Sequence, residues 1–247
     1  MILEYIGKLL ARFLTKPIAG YIPPSTSNLR MLKECLKPGD VLLVEGNQRV
    51  SAVIKYLTQS TWSHAALYLG DQDTNRGRDG SILDLMEAEL ETGVVLVPLA
   101  KYSSYHTRIC RSVGLSEEDI KRVLQFALGA VGKTYDLKNI IDLLRYFLPP
   151  PPVPLKWRRK LLALGSGEPT KAICSTLIAQ AFQSVQYPIL PNEVYQEEGG
   201  GPSIKYKIRH YSLFTPRDFD ISPYFQIVKP TIESGFSYQS FSWAQKE

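Results

Sequence analysis

The chain holds three cysteines and three histidines, and one of each sits where it could do chemistry. Cys174 lies in Ala172-Ile173-Cys174-Ser175-Thr176-Leu177-Ile178, where it opens an apolar helical run. A thiol reacts as its thiolate, and a helix N-terminus and a nearby imidazolium both favour that anion. His64 lies in Trp62-Ser63-His64-Ala65-Ala66-Leu67-Tyr68-Leu69-Gly70, at the mouth of a run that reads as a buried strand. Paired, the two would make a nucleophile and a general base that returns its proton to a leaving group.

A third polar group should fix the imidazole's tautomer. Leu85-Met86-Glu87-Ala88-Glu89 offers two carboxylates, and alternation along a strand puts Glu87 and Glu89 on one face. Periodicity does not choose between them. The backbone N–H of Cys174 is a candidate oxyanion donor. His106 and His210 are rival bases on spacing alone. Cys35 and Cys110 read as structural, since free cysteine is often buried and a mid-strand thiol meets no helix dipole.

Those residues need elements to hold them. Pro38-Gly39-Asp40 turns into a strand over 41–45, and 49–59 has helical spacing. Strands are expected over 64–69, 82–87, 94–98 and 108–113, and a helix over 116–132 capped by Ser116. A further helix is expected over 137–148, before five prolines within Pro149 to Pro154 and a basic stretch from Lys156 to Lys160. Residues 192–203 read as loose around Gly199-Gly200-Gly201, and 224–228 as strand-like. The resulting division is an N-terminal amphipathic helix and linker over 1–34, a main domain over 35–190 with a proline-rich insertion at 149–170, and a C-terminal extension over 191–247.

Composition sets limits. The chain has 247 residues, 44% hydrophobic and 21% charged, with net charge +5 from 29 basic and 24 acidic residues. That suits a globular core and does not demand an anionic partner. No basic-aromatic motif for nucleic acid is present. No CxxC pair suggests a zinc site, so no metal and no cofactor are expected. Residues 1–16 have helical periodicity rather than an unbroken apolar core, which disfavours a signal peptide and admits peripheral membrane contact. No run is long enough to span a bilayer. The expected location is cytoplasmic, with or without peripheral contact at an inner membrane. Ala127 to Thr134 is reminiscent of a phosphate-binding loop, but such a loop follows a strand, and the residues before it are helical in pattern.

Taken in order, Leu36-Lys37-Pro38-Gly39-Asp40-Val41-Leu42-Leu43, the segment from Trp62 to Gly70, Glu87-Ala88 before Gly93-Val94-Val95, and Cys174-Ser175-Thr176-Leu177-Ile178 resemble the circularly permuted NlpC-type papain-like cysteine peptidases, in the YiiX/YebB-like group. The histidine-first order is what separates this group from ordinary papain-like enzymes. The resemblance implies an α+β fold, a small antiparallel sheet or barrel packed on the helix that carries the cysteine. It also implies Cys174 as nucleophile, His64 as base and Glu87 as orienter. Tyr135, within Gly132-Lys133-Thr134-Tyr135-Asp136, matches a family tyrosine at the site, and Trp62 and Ser63 join it as candidate substrate-binding residues. The implied activity is hydrolysis of a cell-wall peptide or isopeptide amide through an acyl-enzyme. Two alternatives follow from the same resemblance: a lipid acyltransferase or phospholipase at a membrane surface, and a non-catalytic binding protein. The partner is accordingly a peptide or a lipid-like amide or ester.

Overall fold

The structure is a computed structural model that describes residues 12–21, 24–25, 28–71, 75–89, 92–134, 173–198 and 201–243. Its centre is a six-stranded antiparallel sheet: β1 (Val41–Val44), β2 (His64–Tyr68), β3 (Leu85–Glu89), β4 (Gly93–Val97), β5 (Thr107–Ser112) and β8 (Phe225–Val228). The spatial order is β4-β3-β2-β1-β5-β8. A separate hairpin joins β6 (Asn192–Glu198) to β7 (Gly201–Lys207). The helices in chain order are α1 (Leu29–Cys35), α2 (Arg49–Thr58), α3 (Glu117–Leu128), α4 (Ile173–Gln183), α5 (Pro216–Asp220) and α6 (Pro230–Glu233).

β1 is Val-Leu-Leu-Val and every residue is buried. A continuous apolar run suits a central strand covered on both faces. Alternation sorts the side chains. Leu43, Ala65, Leu67, Met86, Ala88 and Cys110 join one cluster with residues of α3 and α4. Leu42, Val44, Ala66, Tyr68, Leu85 and Ile109 join the other, with Leu32 of α1 and with Leu99 and Tyr102 of a 3-10 turn at Leu99–Tyr102. The cap of α3 read from sequence is present: Ser116 accepts from Asp119 N–H, and three carboxylates fill the first turn. The helix ends at Leu128, so the Ala127–Thr134 segment is a helix end and its tail, not a phosphate loop. That tail braces β4, since Val94 N–H donates to the Lys133 carbonyl at 3.0 Å. Gly93 is required there, with φ of +77° and a would-be Cβ 2.3 Å from the Lys133 oxygen.

α4 packs on β2, β3 and α3. Its Phe182 is fully buried, with Tyr187, Phe219 and Phe225 around the ring. Phe182→Ala should cost about 3–5 kcal/mol by leaving a cavity.

Three sequence expectations change. The stretch 192–203, read as loose, falls largely in β6 and β7, which pair in register from Asn192↔Lys207 to Glu198↔Gly201. β3 begins at Leu85 rather than 82, because Ile82 is held only in an isolated bridge to Arg76. β8 pairs with β5 from Phe225↔Ser112 to Val228↔Ile109, so residues far down the C-terminal segment complete the main sheet. The expected helix over 137–148, the proline run and the basic stretch lie outside the described residues, as do residues 1–11.

Candidate active site

β1 and β2 run antiparallel with Val44 opposite His64, and β5 begins with Thr107 opposite Val44. One end of the sheet therefore gathers the start of β2, the end of β1 and the start of β5. Only two residue pairs, Leu67↔Met86 and Tyr68↔Leu85, join β2 to β3. Beyond them, toward His64 and Glu87, side chains rather than backbone bonds link the strands.

His64 Nε2 lies 2.9 Å from Glu87 Oε2. Glu87 is wholly buried, and a buried carboxylate needs partners. It has three: the His64 ring, the Lys101 ammonium and the Tyr102 hydroxyl, which donates to Oε2. Burial alone would raise its pKa, yet His64 and Lys101 hold it well below the usual carboxylate range. Lys101 also donates to Glu89 at 2.6 Å, and Glu89 accepts from the Thr92 hydroxyl at 2.6 Å. The two carboxylates of β3 thus part company: Glu87 meets the imidazole, and Glu89 closes the ion-pair network outside it. Burial pushes the Tyr102 hydroxyl well up, with Glu87 adding to it, so Tyr102 stays a donor.

Cys174 lies in the first turn of α4 as described, buried, and hydrogen-bonds His64. With Nε2 on Glu87, Nδ1 is the ring nitrogen left for the thiol. Desolvation works against a charged imidazole, but Cys174 and then Glu87 outweigh it and raise the His64 pKa to about 10. The imidazole therefore stands between a sulfur and a buried carboxylate. Cys174, His64 and Glu87 are thus brought together from α4, β2 and β3.

The other named residues fall elsewhere. Trp62 and Ser63 are both largely buried. The Trp62 indole N–H donates to Asp220 Oδ2 at 3.1 Å, and Ser63 Oγ accepts from Gly46 N–H at 2.9 Å. They brace the end of the sheet. His106 pairs with Glu45 through Nδ1 at 2.9 Å. His210 caps a short 3-10 turn at Tyr211–Leu213, its Nδ1 at 2.8 Å from Ser212 Oγ. Cys110 is fully buried, and desolvation raises its thiol pKa strongly. Cys35 is partly exposed, and its thiol is also raised, chiefly by desolvation. Tyr135 lies outside the described residues. Lys101 and Tyr102 went unread in the sequence: they follow β4 in a 3-10 turn, and no spacing ties such a turn to a strand carboxylate. Among the described residues, no group of three or more His, Cys, Asp and Glu is arranged to hold a metal ion. No helix among them is long and apolar enough to cross a membrane.

Residues 35–147 match the family described as permuted papain-like amidase enzymes, YaeF/YiiX, C92 family. Over that stretch the chain is similar to the permuted papain-like YiiX family. The match contains His64 and Glu87 and stops short of Cys174. Among solved structures, the chain is similar to a crystal structure of yiiX from Escherichia coli O157:H7, described as a metalloprotein. The likeness has 15% identity and a TM-score of 0.45, covering 85% of this chain and 98% of that one. No curated protein matches the chain. The family description supports an amide hydrolase in general.

Proposed function

We propose that the protein is a cysteine hydrolase of amide bonds, of the cell-wall peptide or isopeptide type, acting through an acyl-enzyme on Cys174. The observation that carries this reading is the hydrogen-bonded line from Cys174 through His64 to buried Glu87. The Cys174 thiolate attacks the carbonyl carbon and forms a C–S bond. The oxyanion takes the backbone N–H of Cys174, near the positive end of α4. The C–N bond then breaks, and His64 gives its proton to the departing amine. A water enters, His64 takes its proton, and the hydroxide carbon–oxygen bond replaces the thioester. Glu87 keeps the ring oriented and stabilises its charge throughout. Trp62, Ser63 and Tyr135 remain candidates for the wall of the site.

The test is hydrolysis of a panel of amides and esters by the full chain. Amide turnover that vanishes in Cys174→Ala supports the reading. Turnover that survives that change, or none on any amide, contradicts it.

One observation favours a second reading, an acyltransferase or phospholipase at a lipid surface. Phe236, Tyr238, Phe241 and Trp243 are all exposed, and the rings of Phe241 and Trp243 stack at 6.0 Å. Aromatic side chains suit a membrane interface. Sedimentation with liposomes, for the full chain and for Trp243→Ser, separates the cases: binding lost in the variant supports a lipid role, and no binding in either removes it.

A further inference from the structure

An open groove of about 580 Å³ lies at the same end of the sheet as His64. Glu45, Lys55, Trp62, His106, Arg108, Arg217 and Asp220 are among the residues that line it. Its position follows from the strands. Glu45 succeeds Val44, the register partner of His64. Trp62 precedes His64 by two residues, which bounds their Cα separation at about 7 Å. The groove therefore opens at the end of the sheet that carries His64.

The groove's charges do not balance. Lys55 pairs with Glu45 at 3.3 Å, and Arg108 with Asp220 at 2.5 Å. Glu45 is shared with His106, and the Arg108 guanidinium lies 4.9 Å from the Trp62 ring centre. Arg217 is the cation left over. It donates through Nη1 to the Thr58 carbonyl at 3.0 Å and has no carboxylate partner among the described residues. A guanidinium has five N–H donors in a planar fork that matches a carboxylate. Glu45 and Asp220 in the same walls disfavour a dianion, which selects a single carboxylate over a phosphate.

We infer that this groove is a substrate-recognition site that takes a carboxylate of the amide substrate on Arg217. The inference rests on the amide-hydrolase reading and names part of its substrate. The acidic group sits on the acyl or amine portion that runs past Trp62, while Cys174 attacks the carbonyl.

Two chromogenic amides test it: glutaryl p-nitroanilide, which ends in a carboxylate, and its terminal carboxamide analogue. The wild-type chain should prefer the acid by about ten- to a hundredfold in kcat/KM, the usual worth of a charge-assisted hydrogen bond. Arg217→Gln should erase that preference through KM, with kcat little changed, and Arg217→Lys should restore part of it. The same preference in wild type and Arg217→Gln overturns the inference. Calorimetric titration of glutaramate, which carries a single carboxylate, into Cys174→Ala, with and without Arg217→Gln, keeps the two proposals apart. Glutaramate binding that is lost with Arg217 supports the groove even where neither anilide is cleaved, a result that counts against the hydrolase instead. No difference in binding, and none in turnover, rejects the groove.

Discussion

Two histidine–glutamate pairs stand at one end of the sheet. His64 meets Glu87 and His106 meets Glu45, each at 2.9 Å, and the two histidine side chains are equally exposed at 22%. They differ in which nitrogen the carboxylate takes and in what lies beyond. Glu87 takes Nε2 of His64, and Cys174 bonds the same ring. Glu45 takes Nδ1 of His106, and Trp62 packs against that ring at 5.0 Å. The carboxylates differ too. Glu87 is sealed under Tyr102 and Lys101, whereas Glu45 opens onto the charged groove with Lys55 and Tyr21. A histidine beside a glutamate is therefore not a catalytic unit by itself. The thiol at the start of α4 and the burial of the acid make one pair suited to nucleophilic chemistry and leave the other as a wall.

The comparison breaks first at the nucleophile. Cys174→Ala should lower amide turnover by more than about 10⁴-fold, the scale on which removing a nucleophile acts, measured as kcat/KM on any amide the chain cleaves. Next come the two acids. Glu87→Gln should cost about 10³- to 10⁴-fold in kcat, as loss of an orienting carboxylate does. Glu45→Gln should cost at least a hundredfold less. Equal losses in the two variants would dissolve the distinction between the pairs.

The support beneath Glu87 is the next target. Tyr102→Phe removes a buried donor to a carboxylate, so chemical denaturation should show a loss of about 1.5–3 kcal/mol. A variant as stable as wild type would make Tyr102 a bystander.

The smallest effect is on stability against pH. The folded His64 pKa of about 10 lies above the unfolded value of about 6.5. Its contribution is then complete below about pH 6.5 and is lost as pH rises toward 10. Glu87 works in the other direction: its depressed pKa gives stability above the ordinary glutamate value, lost as pH falls through the acid range. Denaturation midpoints of wild type minus His64→Asn should therefore converge on the alkaline side. Midpoints that stay parallel from pH 6 to 10 would contradict the charged imidazole.

The sequence carried the elements that alternate or repeat strongly. β1, β2, β4, β5 and α3 were readable from apolar runs, a turn and a serine cap. The hairpin of β6 and β7 was not, because its strands are charged and its glycines look like a break. Glu87 and Glu89 were a tie on the page of the sequence, since both share a face. Side-chain packing splits them: Lys101 and Tyr102 converge on Glu87 from fourteen and fifteen positions away, a contact that no local pattern encodes. The same limit hid the second pair. Nothing in Glu45 and His106 marks them as neighbours until β1 and β5 are side by side. The order of His64 before Cys174 was legible early, and the family match over 35–147 covers His64 and Glu87 but not the cysteine.

The most direct test of the account is to find where an acyl group lands. The full chain is mixed with an activated ester, quenched in acid, and read by intact mass and peptide mapping. The account predicts one acyl group on Cys174, formed much more slowly in His64→Asn and undiminished in His210→Asn. Acylation of the more exposed Cys35 instead, or of Cys174 at the same rate without His64, would contradict it.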